Sequence, residues 1–193
     1  MQTIIEPQRK IPVIEEADVC VLGGSCTGVF AAVRAARLGM RVVLIERLNR
    51  LGGVATAGLV NIWHTLQDMD DREQIIAGLT YEVITSLKSR GALTVQNNRS
   101  STYNFNPMEL TIILDELIRE HGIRLMLHTN YSAVVEESGR LDAVIVENRD
   151  GLLRTVGKNI TRVNIAELTE YGLSPAIAQD ADKYQLRILK STD

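Results

Sequence analysis

Apolar residues fall into short blocks separated by glycines, and the blocks change period along the chain. Ala17 to Gly23 (ADVCVLG) is a short run rich in β-branched residues that stops at glycine, the pattern of a buried parallel strand. From Ser25 to Leu38 small and apolar residues pack closely until Gly39, which predicts a helix. Arg41 to Glu46 (RVVLIE) is a second apolar run. Strand, glycine turn, helix and strand in this order require a right-handed crossover between parallel neighbours.

The rest of the chain is less regular. Arg47 to Gln67 is glycine-rich and without period, and reads as an ordered loop. Asp71 to Arg90 predicts a helix with Ile75, Ile76, Leu79, Val83, Ile84 and Leu87 on one face, closed by Gly91. The polar run Gln96 to Asn104 reads as a loop. Pro107 opens a further helix, whose Leu110, Ile113, Leu114, Leu117 and Ile118 recur at helical spacing until Gly122. Strands are expected at Ile123 to His128, Ser132 to Glu136 and Leu141 to Glu147, with a turn at Ser138-Gly139. Beyond Gly151 the signal weakens to a short helix at Val163 to Tyr171 and a short strand at Gln185 to Leu189.

Length and charge narrow the function classes. With 193 residues, one domain with a real core is the expectation. The division expected is an N-terminal lead over 1–16, a main domain over 17–150 and an atypical tail over 151–193. The formal charge of −3 carries no long basic run, so neither a nucleic acid nor an anionic membrane is an expected partner. No stretch approaches the roughly 20 apolar residues of a membrane span, and the polar opening lacks a signal-peptide centre, so a cytoplasmic location is expected. Cys20 and Cys26 match neither a disulfide framework nor a zinc pair, and His64, His121 and His128 have no repeated partner. No metal is expected.

The chemistry concentrates at Gly23-Gly24-Ser25-Cys26-Thr27-Gly28. In a dinucleotide-binding turn the first glycine makes the bend, the second admits the pyrophosphate and the third lets helix pack on strand. Ser25 stands at the second position, where its hydroxyl can serve a phosphate or cap the helix. Glu46 ends the second strand about 20 residues later, where a carboxylate can accept hydrogen bonds from a ribose. Its replacement by Ala is expected to weaken binding, and by Gln to weaken it less.

The stretch from Asp18 to Val60 resembles the opening of FAD-dependent oxidoreductases with a glutathione-reductase-type FAD domain. Glu46-Arg47 followed by Leu51-Gly52-Gly53 resembles the loop that passes the FAD pyrophosphate in that family, and Thr56-Ala57-Gly58-Leu59 the segment near the flavin. The resemblance implies an α/β fold, a Rossmann-like FAD/NAD(P)-binding domain with a parallel sheet, a helical insertion and a β-meander. It implies FAD contacts at Gly23, Gly24, Ser25, Cys26, Thr27, Gly28, Glu46, Arg47, Gly52, Gly53 and Thr56, with backbone near Tyr131 meeting the adenine. After Gly151 the sequence departs from the family pattern, so the chain is expected to be a partial member that retains FAD poorly when alone.

Three functions remain open. The first is an FAD-dependent oxidoreductase, or its FAD-binding portion, acting on a small organic molecule, with association into a homo-oligomer through uncovered apolar surface. The second is a non-catalytic nucleotide-binding fragment, and the third an NAD-binding dehydrogenase. His64 is a weak candidate base, and Cys26 near a helix N-terminus a weaker candidate for a reactive thiol.

Overall fold

The computed structural model describes residues 3, 10–68, 70, 73–97, 101–138 and 140–157. The expected helix at 163–171 and strand at 185–189 lie outside them.

Three parallel strands form the centre. β2 (Val19–Leu22), β3 (Val42–Ile45) and β7 (Arg124–Met126) are ordered β2-β3-β7, with β3 in the middle. Every residue of β3 is buried, and its side chains alternate between two cores, as strand geometry dictates. Val42 and Leu44 pack among α1 (Cys26–Arg37), α2 (Leu79–Ser89) and α3 (Pro107–Glu120) through Val29, Val33, Val83, Leu87, Leu110 and Leu114. Val43 and Ile45 pack on the opposite face with Ala17 and Val146. That second face is covered by a four-stranded sheet ordered β1-β10-β9-β8, comprising β1 (Val13–Ala17), β8 (Asn130–Glu137), β9 (Arg140–Asn148) and β10 (Gly151–Gly157). Helices, parallel sheet and antiparallel meander make three layers, the expected Rossmann-like arrangement.

The first strand is longer than expected and broken. It begins within the polar lead as β1, breaks at Asp18 and resumes as β2. The break has a cause: the Asp18 carboxylate accepts from the Arg41 backbone N at 2.8 Å and from the Arg41 guanidinium at 2.9 Å, which pins the entrance of β2 to that of β3. The same guanidinium holds the Asp18 carboxyl below its usual range. β1 then leaves the parallel sheet and pairs in parallel with β10, so the meander crosses position 150 without interruption.

Two segments between the strands also differ from expectation. The helix expected from Asp71 starts only at Leu79, because Gly78 takes φ 62°, ψ −135° and ends any helix there. Before it, Asp68 N donates to Glu73 O at 2.8 Å and Ile75 and Ile76 both donate to Leu66 O, so these isoleucines are held against Leu66 outside α2 and Ile76 is exposed. Of the polar run expected as a loop, residues 96–97 and 101–104 lie instead in two antiparallel strands, β5 (Leu93–Asn97) and β6 (Ser101–Phe105), with β4 (Ile62–Trp63) on the other side of β6. Thr94, Val95, Thr102 and Tyr103 supply the β-forming side chains. Trp63 and Phe105 meet across β4 and β6 with ring centroids 4.8 Å apart.

The helices end as their caps dictate. Asn106 accepts from Met108 N at 2.9 Å and Pro107 occupies the first turn of α3, where its missing N–H costs nothing. Arg37 of α1 forks onto both oxygens of Glu82 at 2.9 and 2.7 Å and donates from Nε to His121 Nε2 at 3.0 Å, fastening the three helices at one end. Among the described residues no helix is long and apolar enough to cross a membrane.

Leu114 is wholly buried between α3 and the other helices, while Ile112, on the same helix, is 44% exposed. Leu114→Ala is expected to cost about 2–5 kcal/mol in urea unfolding. Ile112→Ala should change stability by no more than about 0.5 kcal/mol.

Candidate nucleotide-binding site

The glycine turn sits where β2 hands over to α1. Gly23 takes φ +100°, a conformation costly for any side chain, while its N–H still donates to Ile45 O at 2.8 Å and closes the last rung of the sheet. Space above it is open: a Cβ there would meet nothing within 4 Å. Ser25 is the N-cap of α1, its Oγ accepting from Gly28 N at 3.4 Å. The capping role foreseen for its hydroxyl is therefore present. Gly28 is glycine because a Cβ would lie 1.9 Å from Gly23 O, so helix and turn touch backbone to backbone.

Gly24 is the position that motif reasoning undervalued. It occupies a variable slot of the fingerprint, yet it is buried, and a Cβ would come within 2.6 Å of Leu51 Cδ2 and 3.0 Å of Glu46 Cβ. Two consecutive glycines were the available signal. The first bends the chain and the second lets the following loop close over it.

That loop packs directly on the turn. Gly52 N donates to Gly24 O at 2.8 Å, and Ser25 and Gly52 form a parallel bridge. Gly52, at φ +99°, has no room for a side chain against Thr56, whose buried hydroxyl donates to Leu51 O. Gly53 also takes positive φ, and a Cβ there would lie 3.2 Å from Ser25 Cβ. Thr56 thus supports the loop from inside. Along the same loop Val54, Leu59 and Val60 are exposed.

Glu46 follows β3 and is only 6% exposed. Its Oε2 accepts from Gly24 N at 2.6 Å and its Oε1 from Leu48 N at 2.7 Å. Its own N–H donates to Met126 O and its carbonyl accepts from Thr129 N, so the residue joins the glycine turn, the following loop and the β7–β8 connection. Beside it opens a cleft of about 280 Å³, lined among others by Gly23, Glu46, Arg47, Thr129, Asn130 and Tyr131. This is near the lower end of pockets that take small ligands. Tyr131 is 63% exposed at the start of β8. Gly23, Glu46, Arg47 and Tyr131, distant in sequence, thus share one cleft, whereas Asn130 and Thr129 carried no residue-type signal.

The two weak candidates fall elsewhere. His64 is exposed just after β4 and does not line the cleft. Cys26 begins α1, but its Sγ lies 3.7 Å from Gly52 O and burial pushes its thiol up to about 11, against activation by the helix terminus. Among the described residues no three His, Cys, Asp or Glu side chains cluster as metal ligands.

Comparison with known proteins decides the family. The model of the FAD dependent oxidoreductase family matches residues 18–160. The chain belongs to that family. FAD is accordingly its cofactor. A segment covering 39% of the chain is 30% identical to mitochondrial dihydrolipoyl dehydrogenase of Schizosaccharomyces pombe, over 17% of that protein. Among solved structures, the chain is similar in fold to the 3-ketosteroid-Δ4-(5α)-dehydrogenase of Rhodococcus jostii, with a TM-score of 0.54, 15% identity, and coverage of 82% of this chain and 48% of that one. It is likewise similar to THI4 of Thermovibrio ammonificans, with a TM-score of 0.50, 21% identity, and coverage of 73% and 54%. The chain therefore spans about half the length of these two solved structures, and 17% of dihydrolipoyl dehydrogenase.

The half-buried thiols make a pH prediction. Cys20, like Cys26, is pushed from 9.0 up to about 11 by burial. An unfolded chain ionises its thiols near pH 9.0 while the folded one keeps them protonated to about 11, so their contribution to stability is full below 9.0 and is lost as pH rises through that window. Iodoacetamide should label the folded protein more slowly than a denatured control near neutral pH, and faster as pH approaches 11. Equal rates at neutral pH would contradict the burial.

Proposed function

We propose that this chain is the FAD-binding part of an oxidoreductase of the glutathione-reductase type, acting on a small organic substrate, and that it grips the ADP half of FAD. The observation that carries the reading is that the open Gly23 turn, which leads into α1, shares one cleft with Glu46, Arg47 and Tyr131. The match to dihydrolipoyl dehydrogenase over the aligned segment supports the subtype.

The residues suit the group. A pyrophosphate would be held at the turn, where Gly23 leaves open space and the first amides of α1 lack intrahelical acceptors. Ser25, Cys26 and Thr27 supply backbone there, while Gly24, Gly28, Gly52 and Gly53 allow the close packing that shapes it. Glu46 accepts from ribose hydroxyls, and Arg47 and Tyr131 flank the adenosine. The exposed Val54, Leu59 and Val60 lie along the loop that leads away from the turn, on the route toward the flavin. When bound, the flavin supplies the electron transfer, and the protein orients it and excludes competing reactions.

The binding unit in this reading is residues 17–150 with β1 and β10 attached. A cytoplasmic location, a small-molecule substrate and association through exposed apolar surface belong to the same reading, with no nucleic-acid or membrane partner. The net charge of −3 supports the last point.

Fluorescence titration tests it. FAD and ADP are expected to compete for one site, NAD to compete poorly, and Gly28→Val to weaken both ligands at least about 10-fold by driving a side chain into Gly23 O. Unchanged affinity in a folded Gly28→Val protein, or tight NAD binding without FAD binding, would overturn the reading.

A further inference from the structure

We infer that Glu46 is a positioning residue for the phosphate turn, holding Gly24 in place before any nucleotide arrives, in addition to meeting the ribose; the inference rests on the ADP site proposed above. Both polar atoms of the Gly24 residue are fixed from outside the turn. Its N–H donates to Glu46 Oε2 at 2.6 Å, and its carbonyl accepts from Gly52 N at 2.8 Å. The other carboxylate oxygen receives Leu48 N at 2.7 Å, on the segment that leads into Leu51 and Gly52. Carboxylate, turn and loop therefore form a closed ring of hydrogen bonds, and Leu51 and Glu46 pack on the spot where a Gly24 side chain would stand.

The ring fixes the turn that presents the amides. A site whose donors are already aimed does not spend binding energy on ordering them. Only a carboxylate fits the position. It offers acceptors at both oxygens, roughly four lone-pair sites in all, so it can satisfy two backbone N–H groups and still face a ribose. A glutamine would turn an NH2 group toward either Gly24 N–H or Leu48 N–H, donor against donor at separations of 2.6 or 2.7 Å. Glutamine is thus no mild replacement here, contrary to what the sequence suggests.

The role separates from ribose recognition in a ligand comparison. ADP and dideoxy-ADP, which lacks both ribose hydroxyls, are titrated calorimetrically into the parent, Glu46→Gln and Glu46→Ala proteins, at a temperature where circular dichroism shows all three folded. Displacing the turn is expected to weaken dideoxy-ADP by a factor of about 10 or more, and ADP by at least as much because it also loses the ribose contact, with Glu46→Gln no better than Glu46→Ala. A general loss of stability would leave the affinity of the folded fraction unchanged. If ADP weakens and dideoxy-ADP does not, Glu46 acts through the ribose alone, and the positioning role fails while the ADP site stands. If the parent binds neither ligand, both fail. Should the variants not fold, amide exchange in the nucleotide-free parent decides: Gly24 and Leu48 are expected to be protected, and free exchange at either would overturn the inference.

Discussion

The hydrogen bond from Gly24 N to Glu46 Oε2 is the constraint on which the site depends. It runs between the turn after one parallel strand and the residue after its neighbour, so it exists only if β2 and β3 are in register. A buried carboxylate is tolerated only when hydrogen-bonded, and here two backbone N–H groups do this, one on each oxygen. Glycine at 24 follows from the same contact, since any side chain would collide with Glu46 and Leu51. Electrostatics, packing and backbone conformation thus agree at one point, as expected where a fold specifies a site.

The layers explain why that point is rigid. β3 is buried on both faces, with Leu44 against the helices and Ile45 against the meander, and Glu46 follows as the chain leaves the sheet. Its carbonyl, accepting from Thr129 N, draws the β7–β8 connection alongside and so forms the far wall of the cleft. β1 and β10 pair at the other side of the meander and hold it over Val43 and Ile45. The cleft wall is therefore supported by contacts distant from it.

Much of this was legible in the residues. α1 and α3 announce themselves through Ser25, Pro107 and the glycines that follow them, because capping is local chemistry. β3 is legible because a strand buried on both faces is continuously apolar. The β5–β6 pair was not, because its stability lies in cross-strand pairing of polar and β-branched residues such as Thr94 with Asn104, which a window along the chain reads as loop. β1 was hidden for a similar reason: Glu15 and Glu16 look like a polar lead until β10, more than 130 residues later, pairs with them. Ile75 and Ile76 satisfied a helical period but Gly78 and the Leu66 carbonyl directed them elsewhere. In the candidate site, Gly23, Gly28 and Glu46 stand out in the sequence by residue type and spacing. Contributions made through backbone or close packing, as at Gly24, Thr129 and Asn130, needed the third dimension.

The central claim is that the cleft beside Gly23 and Glu46 is where the adenosine diphosphate moiety binds. Backbone amide NMR spectra of the chain with and without saturating ADP test it most directly. The account predicts that the largest shifts fall on Gly23, Ser25, Cys26 and Thr27 of the turn, on Arg47, and on Asn130 and Tyr131 across the cleft, with α2 and α3 unmoved. Large shifts on the helices or the β4-β6-β5 sheet, with the turn unaffected, would contradict it.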